Sequence, residues 1–301
     1  MIQVFIAFAL IASGITANKF ILYSWPPIFL VGLRSFIAGI ILILLNVFRS
    51  ERLRFSYLKT DLKILLFIAF FTTLIPSILK AFALKYMISS KATLLGSIDP
   101  FITALYVYLL WNEKISLQKI IGITVAFSGI FLLLITSTPI EESLKAFWIF
   151  SYPELAAIIA VAINRYGWML GQNLLKQSRY MPLELNGITM LISGFFSLIL
   201  SFWLETVNYS NTVPDIKFMA LIWYTIIFGN ILGYGFYSNA LKKFSSTFVS
   251  IAGFSVPILV YIYGLIFLHE KWSNIFLLSF AITLLGLFIF YQQEFKKIKK
   301  I

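Results

Sequence analysis

The chain has 301 residues, of which 60% are hydrophobic and only 12% charged, with a formal net charge of +12 and no cysteine. Soluble domains carry about 45–50% apolar and about 25% charged residues, so a soluble fold is excluded; the missing cysteines exclude disulfides and thiolate metal sites. With no soluble domain to carry a basic patch, the positive charge indicates loops facing anionic lipid and not a nucleic-acid partner.

A membrane-spanning helix needs about 20 mostly apolar residues. Ten such stretches follow one another: 2–22, 26–48, 62–84, 89–111, 117–136, 153–174, 182–204, 216–239, 246–268 and 273–292. The first resembles the apolar core of a signal peptide but lacks a basic region before it, so it reads as a span. Residues 141–150, between spans 5 and 6, read as a short amphipathic helix lying on the membrane surface. The lone His269 sits in a polar turn and is not read as a metal ligand.

The stretch from Ala83 to Gly129 occurs twice. Ala83-Leu84-Lys85, Ser89, Gly96, Pro100, Tyr106, Glu113-Lys114, Ser116 and Gly129 return without a gap 157 residues later as Ala240-Leu241-Lys242, Ser246, Gly253, Pro257, Tyr263, Glu270-Lys271, Ser273 and Gly286. An offset of 155 similarly carries Asn18, Pro27, Gly32 and Gly39 onto Asn173, Pro182, Gly187 and Gly194. Internal repeats fix architecture. Five spans per copy is an odd number, so the second copy must enter the membrane upside down.

With the N-terminus in the cytoplasm, fifteen of the 24 Lys and Arg residues fall in inner segments and six in outer ones, while Arg34, Lys80 and Arg165 lie inside spans. The positive-inside rule then places both termini in the cytoplasm, and Trp25, Trp111, Trp148, Trp203 and Trp272 mark span ends. The expected fold is an all-α membrane protein of ten helices in two inverted five-helix repeats, residues 1–138 and 139–301.

This arrangement, with A-L-K-Y, D-P, W-N-E-K-I-S and the Leu33-Arg34 pair, resembles the EamA-type branch of the drug/metabolite transporter superfamily. The resemblance covers essentially the whole chain. It implies a secondary carrier for small metabolites, often amino acids, with a central cavity between the halves. The motifs are mostly packing and turn features and do not name a substrate.

Ionisable groups inside a bilayer cost about 2.5–3.5 kcal/mol at the span centre, so each needs a reason. Arg34 and Asp99 lie at similar depth and can meet, as a coupling pair or a structural ion pair. Glu154 and Arg165 share one face of span 6. Thr73, Ser77 and Lys80 share a face of span 3 at helical spacing, and the offset of 157 carries them onto Asn230, Tyr234 and Tyr237 in span 8. Matched polar stripes fit a carrier's cavity, to which span 6 adds Asn164 and Trp168; hydrogen bonding between helices is the competing account. Lys80 is the candidate for a substrate carboxylate or phosphate. Gly96 with Pro100, and Gly253 with Pro257, read as hinges or static kinks in mid-span. Glu113-Lys114 and Glu270-Lys271 occupy turns before helix caps at Ser116 and Ser273.

The chain contains no phosphate-binding P-loop, G-x-S-x-G or metal-ligand spacing, which argues against an ATPase or a hydrolase. The expectation is a non-enzymatic, cofactor-free, metal-free carrier of small polar metabolites in a bacterial inner membrane, with amino-acid export as the first function. The alternatives are uptake or exchange of a cofactor-like solute such as S-adenosylmethionine, and a membrane enzyme or structural partner without transport. The partners are a small molecule and the bilayer, without nucleic acid, and monomer and homodimer both fit.

Overall fold

In hydrocarbon every backbone N–H and C=O must find its partner inside the protein, and this chain meets that requirement with helices. The structure, a computed structural model, describes residues 2–48, 55–112, 115–136, 138–147, 150–176, 180–205, 215–233, 236, 249 and 252–298. The helices are α1 (Ile2–Leu22), α2 (Pro27–Phe48), α3 (Phe55–Ile68), α4 (Ile75–Tyr86), α5 (Ser89–Gly96), α6 (Asp99–Trp111), α7 (Leu117–Leu134), α8 (Pro139–Ser143), α9 (Tyr152–Lys176), α10 (Pro182–Leu204), α11 (Ile216–Tyr224), α12 (Ser255–Phe267) and α13 (Asn274–Ile298). A π-helical segment, Ala69–Leu74, joins α3 to α4, and a second, Thr225–Gly233, continues α11.

Among the described residues, eight helices are long and apolar enough to cross a membrane, and α12 is a shorter apolar helix. Span 6 is the 25-residue α9, which the polar side chains Glu154, Asn164, Arg165, Gln172 and Asn173 make less apolar than those eight. Residues 141–150 differ from expectation. They form the short α8 and a hairpin of β1 (Lys145–Phe147) with β2 (Phe150–Ser151), pairing Lys145 with Ser151 and Phe147 with Phe150. The hairpin arises because α8 ends after one turn, and Glu141 turns inward and is fully buried.

The repeat governs the packing. Helix α2 lies along α10 and α7 along α13, each pair being repeat counterparts. Small residues at seven-residue spacing make this approach possible: a Cβ on Gly122 would sit 2.6 Å from the Phe290 nitrogen, and one on Gly129 would sit 2.7 Å from the Ser279 carbonyl. The offset of 157 relates Gly122 to Ser279 and Gly129 to Gly286, so each interface is self-complementary, as in a two-fold dimer. Helix α1 packs on the second π segment and α12, while α9 packs on the first π segment, α4, α5 and α6. Each half thus lays its first helix across the third and fourth spans of the other.

The turns repeat as well. Asn112 and His269, 157 residues apart, both adopt φ of 54°. This left-handed conformation ends α6, and at His269 it follows α12; Asn and His tolerate it better than most residues. Ser116 then accepts a hydrogen bond from the Lys119 nitrogen, and Ser273 one from the Phe276 nitrogen, as the expected caps. Helix α1 ends on the face of the bundle where α9 begins, which is the inversion. The described chain starts and ends on the opposite face.

Candidate functional site

Pro76 organises the middle of span 3. It has no N–H, and its ring pushes against the carbonyl four residues earlier, that of Thr72. The chain relaxes into the π segment, and the Asn164 amide nitrogen of α9 donates to the Thr72 carbonyl at 2.6 Å. The Thr72 and Thr73 hydroxyls lie 3.1 Å apart. Gly167 allows this contact, since its Cβ would sit 2.6 Å from Phe71 and Thr72 backbone atoms. The same crossing recurs in the other half, where Gly14 meets Gly229, the repeat counterpart of Thr72.

Span 4 breaks between Gly96 and Asp99, and the matching break in span 9 falls at Phe254. Pro100 and Pro257 stand in the first turn of the helix after each break, where a missing N–H costs little. The prolines therefore start helices and do not remove a bond from the middle of one. A Cβ built on Gly96 meets no atom within 4 Å, whereas one on Gly253 meets the Phe8 ring at 3.3 Å. The space beside Gly96 thus stays open, whereas beside its counterpart Gly253 it is filled by Phe8 of the first half.

Asp99 opens the helix after the break. Its carboxylate lies 3.5 Å from the Arg165 guanidinium, with side chains 40% and 29% exposed. Lys80 of α4 is exposed, and the Asp99 carboxylate acts on it electrostatically. Charged groups in mid-span that remain exposed must face water and not lipid. Asp99, Arg165 and Lys80 are charged groups that spans 3, 4 and 6 leave at least partly exposed.

Thr73, Ser77, Asn164, Trp168, Asn230 and Arg34 are half-buried. Tyr234 and Tyr237 lie outside the described residues. Arg165, from the other half, is a partner for Asp99 that the spacing did not indicate. An aromatic cluster also escaped the sequence: Phe71, Tyr166 and Tyr106 stand edge to face at 5.7 and 6.2 Å, and the Tyr106 hydroxyl donates to the Ala162 carbonyl at 3.0 Å. A depression of 380 Å³ over Ala281, Leu284, Leu285, Leu287 and Phe288 of α13 is apolar and offers no recognition chemistry.

Glu154 is not central. It sits at the bundle end, where Lys91 lies 2.5 Å from Glu154 and 3.3 Å from Glu141, all three no more than 3% exposed. Lys91 also donates to the Thr136 carbonyl at 2.7 Å. The second oxygen of each glutamate accepts a backbone N–H at 2.6 Å, from Thr138 and Ser151 respectively. Lys19 caps the end of span 3, donating to the carbonyls of Leu84, Lys85 and Met87 at 2.6–3.0 Å. Glu270 does not cap the helix that follows it; its two oxygens accept from the Ser89 nitrogen and hydroxyl, both at 2.8 Å. Beside it, burial and then the Glu270 charge raise the Tyr23 phenol above its ordinary value. Glu205 likewise accepts from the first N–H groups of α2, Ile28 and Phe29, at 2.8 Å. A lysine two residues inside an apolar span was the one sign of the Lys91 cluster.

The chain matches the EamA-like transporter family over residues 1–135 and 151–292. It belongs to that family. Among relatives, an S-adenosylmethionine/S-adenosylhomocysteine transporter of Chlamydia muridarum is 27% identical over 288 residues, spanning 95% of this chain and 89% of that protein. A similarly named protein of Chlamydia trachomatis is 26% identical, over 95% and 87% of the two chains. A chloroplastic WAT1-related protein of Arabidopsis thaliana is 24% identical over 92% of this chain and 66% of its own. A crystal structure with 15% identity superposes with a TM-score of 0.67 over 96% of this chain and 94% of its own, which shows a shared fold. This EamA-like chain is therefore a multi-pass membrane transporter.

Proposed function

We propose that this transporter is a secondary carrier for small metabolites with an α-amino-acid head, S-adenosylmethionine and S-adenosylhomocysteine first among them. It works by alternating access between residues 1–138 and 139–301. What supports the reading is the presence of Lys80, Asp99 and Arg165 within spans 3, 4 and 6, with Asp99 paired to Arg165 across the halves. An α-amino-acid head needs a cation for its carboxylate and an anion for its ammonium, and the trio offers both. The end-to-end similarity to the chlamydial transporters favours the adenosyl compounds over simple amino acids. Amino-acid export is the second reading, since the same head would engage the same trio.

In this reading Lys80 takes the substrate carboxylate, Asp99 the ammonium, and Ser77 and Asn230 hydrogen-bond polar edges. Trp168, with Tyr234 and Tyr237 by their repeat positions, clasps the adenosyl part, offering ring faces and polar tips. Arg34 sets the potential of the site. The membrane is the bacterial inner membrane, with both termini in the cytoplasm and the Lys91 end outward. Titration calorimetry of the purified protein tests the ligand class. Saturable heats for S-adenosylmethionine and S-adenosylhomocysteine, and far weaker ones for methionine or adenosine, are expected. Equal binding of free amino acids with none of the adenosyl compounds would move the reading to amino-acid transport.

A further inference from the structure

We propose that the first turn of α5 is the latch that shuts the central cavity at the Lys91 end of the bundle. The latch opens each time the carrier exposes its site to that side. This rests on the transport reading and not on the identity of the substrate. Within three residues the turn makes two polar attachments. Ser89 presents its N–H and hydroxyl to Glu270, and Lys91 holds both Glu141 and Glu154. Every acidic partner comes from beyond residue 139, so the turn ties one half of the chain to the other. Gly264 belongs to the same device: a Cβ there would sit 2.5 Å from the Glu270 carboxylate.

Position explains why this turn acts as a gate. Ala92, the next residue, packs against both of the largest apolar clusters and so bridges them. One turn further, Gly96 faces open space, and Asp99 begins the helix after the break. The latch is therefore the turn of span 4 nearest that end of the bundle, with Gly96 and Asp99 deeper in the span. Its chemistry suits repeated opening. Burying charges costs nearly what their mutual attraction returns, so a buried ion cluster is strongly specific but contributes little net stability. When the halves part, water solvates the released charges. A purely apolar closure would instead expose hydrophobic surface and oppose opening.

The cysteine-free chain makes the test direct. Gly96→Cys supplies a reporter below the latch at a position with room for a side chain. A membrane-impermeant maleimide is applied separately to each side of oriented vesicles. With the latch intact, labelling from the Lys91 side is slow. Adding Lys91→Met raises that rate about tenfold and lowers labelling from the other side, because opening one face closes the other. The pair Ser89→Ala with Glu270→Gln, which leaves the buried cluster in place, raises it about threefold. Unchanged rates in folded, monodisperse variants would overturn the proposal. If Lys91→Met speeds labelling from both sides alike, the protein has come apart and the milder pair decides. The labelling needs no substrate, so its outcome is independent of any failure to find transport of adenosyl compounds.

Discussion

Single residues divide here into those that hold the helices and those left free for a ligand, and substitutions should separate the two. In the proposed site Lys80 meets the substrate carboxylate, so Lys80→Met should leave the melting temperature within about a degree while weakening S-adenosylmethionine binding about 10- to 100-fold. That loss corresponds to about 1.5–3 kcal/mol for a charged hydrogen bond. Asn164 behaves in the opposite way. Its amide satisfies the Thr72 carbonyl that Pro76 leaves without a partner, so Asn164→Leu should destabilise the fold by about 1–3 kcal/mol, read as a lower melting temperature in detergent. Asn164 stood out in the sequence as a polar residue within a span. Its contact with Thr72 did not, because it joins positions 92 residues apart through a backbone atom. Glu154 shows the reverse case: the sequence sets it on one face with Arg165, and the structure pairs it with Lys91 at the bundle end.

At the scale of elements, the repeat offset carried most of the fold. It related the glycines of α7 and α13, the caps at Ser116 and Ser273, and the turns at Asn112 and His269. The hairpin β1–β2 and the helix breaks were harder to foresee. The hairpin lies in the join between repeats, where no counterpart constrains it, and π segments come from tertiary contacts at Pro76 and Gly167 that helical periodicity does not encode. The glycines supply a graded test. Gly129→Ala should clash with the α13 backbone at 2.7 Å and cost about 1–3 kcal/mol, as overpacking does. Gly96→Ala, which meets nothing, should be neutral or slightly stabilising, because alanine favours the helix over glycine by about 1 kcal/mol. Thermal melts of the two purified variants provide the comparison; equal losses would mean that Gly96 does not face open space.

At the scale of the whole molecule, the sequence repeat implies that the two halves are inverted, and the bundle agrees in that α1 and α9 each cross the opposite half. An inverted repeat built in this way holds its site where the two halves meet. The proposed site residues Lys80, Asp99 and Arg165 come from both halves, as that requires. Orientation is set by charge asymmetry, so a single cysteine at Ser56 should react only from the cytoplasmic side; labelling from outside would reverse the assignment of faces. What the charge pattern and packing leave open is the cargo, because the residues that define the family are turns and close-packing glycines. Transport itself decides that question. The protein is reconstituted into liposomes loaded with unlabelled S-adenosylhomocysteine, and uptake of labelled S-adenosylmethionine is followed. Saturable counterflow that Lys80→Met abolishes is the expected result. Uptake no greater than in protein-free liposomes, from protein that remains folded after reconstitution, would contradict the assignment.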